Sequence, residues 1–217
     1  ANTAVLGRGM QTRTPACRPG RPRSPAAAPG ILAAPRGALV ELGWSKLTLG
    51  DVATRAGVAK TTLYRRWSGK NELVVDAVAE LFDELTLPDR GSLFDDIEGA
   101  VLQFAAILAR PEAASGLMAV VAESTRDEAL RERIRASIVE RQKRLVLEGR
   151  RRAEERGELH PQADPFESAR TVDLIFDVIA GAVVHRALVS GHPADEDWVH
   201  DFTALLLGGL GAGTQEP

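Results

Sequence analysis

The segment at residues 47–67, LTLGDVATRAGVAKTTLYRRW, narrows the choice of fold more than any other stretch of the chain. Thr48 stands just before an amphipathic run, and Asp51 follows three residues later. Their side chains can satisfy each other's free backbone N–H groups at a helix start, a variant of the capping box. Leu49, Val52, Ala53 and Ala56 recur at helical spacing and supply a narrow apolar face. Gly57 then offers the left-handed residue that ends a short helix. Val58 turns back toward a core, and a second short helix is expected from Lys60 to Trp67. Leu63 and Trp67, four apart, share its inner face. Thr61, Thr62, Tyr64, Arg65 and Arg66 are left outside. Two short helices joined by a tight glycine turn, the second carrying hydroxyls and guanidiniums, are what a reader of the DNA major groove needs.

Charge taken over the whole chain argues against a nucleic-acid partner, since the net value is -3. Taken by segment the argument reverses. Residues 1–70 hold twelve Lys/Arg against two Asp/Glu, whereas residues 71–217 hold fifteen against twenty-eight. A small basic module that touches phosphates is thus joined to an acidic body that does not. Five of the basic residues belong to a Pro/Arg-rich opening, residues 1–30, which is expected to be a disordered arm with no folded role of its own or one that follows a groove.

The residues Thr48, Asp51-Val52-Ala53, Ala56-Gly57-Val58, Thr62-Leu63-Tyr64, Trp67 and Lys70 resemble, in order and spacing, the TetR family of bacterial regulators, over roughly residues 31–75. The resemblance implies an all-α homodimer with an amino-terminal three-helix helix-turn-helix domain and a larger helical ligand-binding and dimerisation domain. It also implies repression at a palindromic duplex operator, relieved by a small effector. Positions matching Thr61, Thr62, Tyr64 and Arg65 line the DNA face in that family, and Lys70 matches a lysine that meets the DNA backbone. Thr48 caps a helix whose amino terminus can also receive a phosphate. Lys60 and Thr61 are placed for bases, Arg65 and Arg66 for guanine edges or phosphates, and Tyr64 for a phosphate. Trp67 is read as core, and Lys46 and Arg55 as solvated. The chain departs from the family in the first helix, expected within Ile31 to Leu42 and stopped by Gly43. There Pro35 would cost about 3 kcal/mol in a helix interior, so the helix is expected to begin near it.

The remainder, residues 76–212 with a flexible tail at 213–217, reads as further helices near 93–109, 111–124, 127–156, 166–190 and 195–210, after a linking helix from Glu72 to Leu87. The last two carry broad apolar surfaces. Ile175, Ile179, Val183, Trp198, Phe202 and Leu206 are therefore assigned to a two-fold dimer interface, the alternative being burial within a monomer. Phe104, Leu108, Leu117, Met118, Val121, Phe176 and His185 are candidates to border an effector cavity. Ordinary packing is the alternative for Phe104, Met118 and Phe176, and half-exposure for His185. The mostly apolar interior suggests an apolar or aromatic effector.

Other classes find little support. There is no GxSxG, no HExxH, no phosphate-cradling loop and a single cysteine, Cys17, so neither an enzyme nor a metal or other cofactor is expected. No run of about 18 apolar residues occurs, which leaves a cytoplasmic protein without a membrane partner as the expectation. A helical dimeric scaffold or architectural protein without effector response is the rival reading.

Overall fold

The computed structural model describes residues 28–212 of the 217. Most of the basic arm and all of the 213–217 tail proposed from sequence lie outside them. All regular structure among the described residues is helical: α1 (Ala28–Leu42), α2 (Leu49–Ala56), α3 (Lys60–Tyr64), α4 (Lys70–Phe82), α5 (Leu93–Leu108), α6 (Pro111–Ser124), α7 (Glu128–Ile134), α8 (Glu140–Glu155), α9 (Pro165–Val184) and α10 (Glu196–Ala212). A π-helical turn, Arg135–Val139, joins α7 to α8, and another, His185–Val189, extends α9. The single helix expected over 127–156 is therefore a helix pair fused through a widened turn.

Helix α1 corrects the expectation at Pro35. It starts before the proline and runs through it. Pro35 cannot donate to the carbonyl four residues back. That loss is offset because Ile31, Leu32, Ala38 and Leu39 are all buried on one side of the helix and share one hydrophobic core with α2, α4 and α6. Helix α4 also departs from its expected span, ending at Phe82 rather than Leu87. Its close is a tightened turn in which Glu84 N donates to the Leu81 carbonyl and Leu85 N to that of Phe82. This turn directs Leu85 and Leu87 into the interior of the larger helical part.

Helices α4 and α6 are shared between the amino-terminal bundle and the body. Helix α1 packs on α2, α4 and α6, while α4 also meets α7 and the first π turn. Helix α5 forms the centre of the body, against α8, α9 and α10. Close approach at the shared crossing depends on Gly116. A Cβ there would stand 2.6 Å from Val78 Cγ2. Val78 is buried and β-branched, and in a helix such a side chain strongly prefers one rotamer, so it yields only at a cost. Gly116→Ala is therefore expected to destabilise the protein by about 1–3 kcal/mol through overpacking, read as a lower urea midpoint with unchanged slope.

Candidate DNA interface and internal cavity

The capping box expected at residue 48 is formed in full. Thr48 Oγ1 accepts from Asp51 N at 3.2 Å, and Thr48 N donates to Asp51 Oδ2 at 3.0 Å. The Thr48 hydroxyl also donates to that carboxylate at 2.6 Å and is the main cause of the Asp51 pKa lying below its ordinary value. Lys60 adds to this effect, its side chain lying so close over the first turn of α2 that a Cβ on Gly50 would be 3.1 Å from its Nζ. Gly57 adopts φ 64°, and Val58 N donates to the Ala53 carbonyl at 3.0 Å, closing α2 in a left-handed cap.

The reading helix is shorter than expected. Regular α3 ends at Tyr64, and Arg65 to Trp67 form a ragged final turn, with Arg65 N donating to Thr61 O at 3.2 Å and Trp67 N to Leu63 O at 2.9 Å. Arg65 and Arg66 thus extend from the closing turn rather than the helix body. Leu63 and Trp67 are fully buried, and Trp67 is core as read from sequence. Thr48, Lys60, Thr61, Tyr64, Arg65 and Arg66 are exposed, and Thr62 is half-buried. The Arg66 guanidinium lies 4.7 Å from the centroid of the Trp67 ring, a cation–π contact.

Two sequence assignments look different in place. Lys70, expected to meet the DNA backbone, donates to the Trp44 carbonyl at 2.8 Å and covers the Trp44 ring. In the free protein it braces the loop before α2. Arg55, read as solvated, is paired with Glu41 of α1. Sequence pattern did not reveal either contact because each joins elements that pack only in three dimensions.

A second set of contacts ties this unit to the body. Trp67 Nε1 donates to Asp76 Oδ2 at 2.8 Å, and Arg133 Nη2 donates to both oxygens of Asp76 at 2.9 and 3.0 Å. Trp44 Nε1 donates to Glu123 at the end of α6 at 3.0 Å. Arg36 of α1 is paired with Glu80 of α4 at 2.7 Å.

Within the body lies a cavity of about 700 Å³. Its wall is mostly aliphatic and aromatic, drawn from the end of α4, from α5 and α6, from the α7–α8 unit and from α9. Phe104, Leu117, Val121 and Phe176 line it. Leu108, Met118 and His185 do not. Leu108 closes α5 inside the general core, Met118 stands one residue around the helix from Leu117 and is exposed, and His185 is exposed at the second π turn. Sequence reasoning missed Gln142, Arg150, His160, Gln162, Glu167 and Thr171, the polar part of the wall. For Gln142 a signal existed: it interrupts the apolar stripe Ile134, Ile138, Leu145 at helical spacing.

Of the residues assigned to a dimer face, three are closed off within their own chain. Ile175, Val183 and Leu206 are buried, and Ile179, Trp198 and Phe202 are half-buried against the core of their own chain. Trp198 and Phe202 stack on each other with ring centroids 5.2 Å apart. The large apolar residues these helices and the second π turn leave exposed are Phe166, Leu174, Val178, Val189 and Leu205. On α9 the exposed Leu174 and Val178 form a second apolar stripe beside the inward one, whereas α10 leaves Leu205 outside.

Among the described residues no cluster of His, Cys, Asp and Glu is placed to hold a metal ion, and no single helix is long and apolar enough to cross a membrane. Comparison with known proteins then agrees with the geometry. Residues 31–77 match the family model of bacterial regulatory proteins, tetR family, and residues 87–206 match that of the tetracyclin repressor-like C-terminal domain. The HTH-type transcriptional regulator Mb1581 of Mycobacterium bovis is 31% identical over 164 residues, 74% of this chain and 76% of the relative. YdeS of Bacillus subtilis, another HTH-type transcriptional regulator, is 28% identical over 195 residues, 89% of this chain and 94% of its own. The crystal structure of the TetR family transcription regulator SCO0332 superposes with a TM-score of 0.68 at 29% identity, covering 84% of this chain and 97% of that one. A capped helix-turn-helix on a helical body with a large internal cavity, matched by both family models, identifies the chain as a DNA-binding transcriptional regulator of the tetR family.

Proposed function

We propose that this regulator is a repressor that binds a palindromic duplex as a homodimer and leaves it when a small apolar or aromatic effector enters the body. Residues 31–75 act as the DNA-binding domain and residues 76–212 as the effector-binding and dimerisation domain. Lys60, Thr61 and Arg65 face the bases, while Thr48, Tyr64 and Arg66 fix the register on phosphates. The observation that carries the effector reading is the cavity itself. It is of ligand size, largely apolar, and its wall includes Phe82 at the end of α4, the helix that follows the reading turn. The exposed Leu174, Val178, Val189 and Leu205 supply the dimer face in place of the buried stripes, with Gly181 and Gly208 leaving room for close approach.

Selection from random duplexes is expected to return an inverted repeat bound by two chains. Compounds that raise the thermal midpoint of the protein are then added to the complex and followed by fluorescence anisotropy. At least one of them is expected to release the duplex. Compounds that bind the cavity yet leave duplex affinity unchanged favour the rival reading, a helical architectural protein without effector response.

A further inference from the structure

Gln142 lies on α8 in the wall of the cavity and is 6% exposed. A carboxamide offers two N–H donors and a carbonyl acceptor. Neither Nε2 nor Oε1 of Gln142 meets a hydrogen-bond partner in the protein, and neither presents free surface to the cavity or to the outside, so a ligand reaches them by turning this side chain into the cavity. Such a group is costly to bury in an apolar wall unless something else completes it.

Of the other polar residues of the wall, His160 and Glu167 are exposed at its rim, and Arg150, Gln162 and Thr171 are occupied with one another. Arg150 Nη2 donates to Gln162 Oε1 at 3.1 Å and reaches Glu154 at 3.4 Å. Gln162 Nε2 donates to the Thr171 hydroxyl at 3.4 Å, and that hydroxyl donates to the Glu167 carbonyl at 2.9 Å. Among the described residues, the remaining buried side-chain groups without partners, Arg133 Nε and Thr203 Oγ1, belong to residues outside the wall. Among the described residues, Gln142 alone joins deep burial, a place in the wall and a complete lack of partners.

Resting on the effector reading above, we infer that Gln142 is the polar anchor of the cavity and that its ligand is a neutral, mainly apolar molecule with a hydrogen-bond acceptor and donor side by side. A lactam, an imide or an undissociated carboxylic acid has this pattern: its acceptor takes the Gln142 N–H and its N–H or O–H donates to the Gln142 carbonyl. An ionised carboxylate has acceptors only and leaves that carbonyl empty. It also finds no cation at this depth. The one basic guanidinium of the wall, Arg150, is eight residues further along α8, about 12 Å by helical rise, and is already paired.

Three matched probes test the assignment on the full chain: an alkyl dihydroquinolinone, which is a fused-ring lactam, the alkyl tetralone that lacks the donor, and the alkyl tetralin that lacks both groups. Binding is measured by calorimetry to the unaltered protein, to Gln142→Leu and to Gln142→Met, an unbranched replacement in case the leucine is poorly accommodated. The unaltered protein is expected to favour the lactam over the tetralin by about tenfold or more, with the tetralone between them. Both variants are expected to lose that order while still binding the tetralin, which shows the cavity intact. Equal binding of all three by the unaltered protein, or an order that survives both substitutions, overturns the assignment and leaves Gln142 as a site for buried water. Failure of every probe to bind any of the three proteins overturns the effector cavity and this anchor together.

Discussion

Replacing Arg65 and Arg66 together with Ala is expected to lower affinity for the natural operator by about 100-fold or more, with little change in stability. Both residues are exposed, and among the described residues neither forms an ion pair, so folding does not depend on their charge. A paired guanidinium contact to a guanine edge contributes about 1–3 kcal/mol, and a phosphate contact contributes through counterion release. The two singles should separate these modes. Arg65, at the close of α3 with its backbone bonded to Thr61, is expected to lose discrimination at one base position. Arg66, its guanidinium 4.7 Å from the Trp67 ring centroid, is assigned to a phosphate, so its loss should weaken all duplexes alike and reduce the salt slope by about one. Lysine at 66 keeps the charge but not the planar fork, and should restore only part of the binding. Anisotropy titrations at several salt concentrations, on the operator and on single-base variants, measure both quantities. Operator affinity retained by the double variant would remove these two residues from the interface.

The sequence was most legible where local chemistry alone decides the structure. Thr48, Asp51 and Gly57 carry their roles in their own side chains or backbone freedom, and the capped α2 appears where they place it. Leu63 and Trp67 follow from spacing alone, and both are buried. Pro35 misled because local preference there is overridden by packing: the buried neighbours Ile31, Leu32, Ala38 and Leu39 hold the helix on either side of it. The last two helices misled for another reason. An apolar residue on α9 serves equally well to meet its own body, a cavity or a second chain, and only the fold shows that Ile175 and Val183 turn inward while Leu174 and Val178 stay outside. The cavity was least legible. Its wall is assembled from segments as far apart as Phe82 and Ile179, and Leu117 is distinguished from Met118 only by a rotation of about 100° around α6.

Asp76→Ala is expected to have the largest effect of any single change between the reading unit and the body. Asp76 accepts from the indole N–H of buried Trp67 on one side and from Arg133 on the other. Its removal leaves the indole N–H without a partner in the core, and leaves Arg133, whose Nε is already buried without one, with no carboxylate. The Arg133 pair is partly exposed, at 33% and 24% for the two side chains, so its share is discounted for solvent screening. Together the losses should amount to about 2–4 kcal/mol by urea unfolding. Asp76→Asn keeps an acceptor for the indole while giving up the charge, and should recover more than half of the loss. Operator affinity should follow the same order, because Trp67 closes the turn that carries Arg65 and Arg66. Arg133→Ala gives the contrast. It leaves the Trp67–Asp76 bond in place, so binding to the operator should fall little. Arg133 also stands next to Ile134, a residue of the cavity wall, and precedes the π turn that supplies Ile138 and Val139. Losing this one link should therefore blunt release by a cavity ligand more than it weakens the free complex. Equal losses of operator affinity in Asp76→Ala and Arg133→Ala would show that the indole bond has no separate part in holding the reading turn.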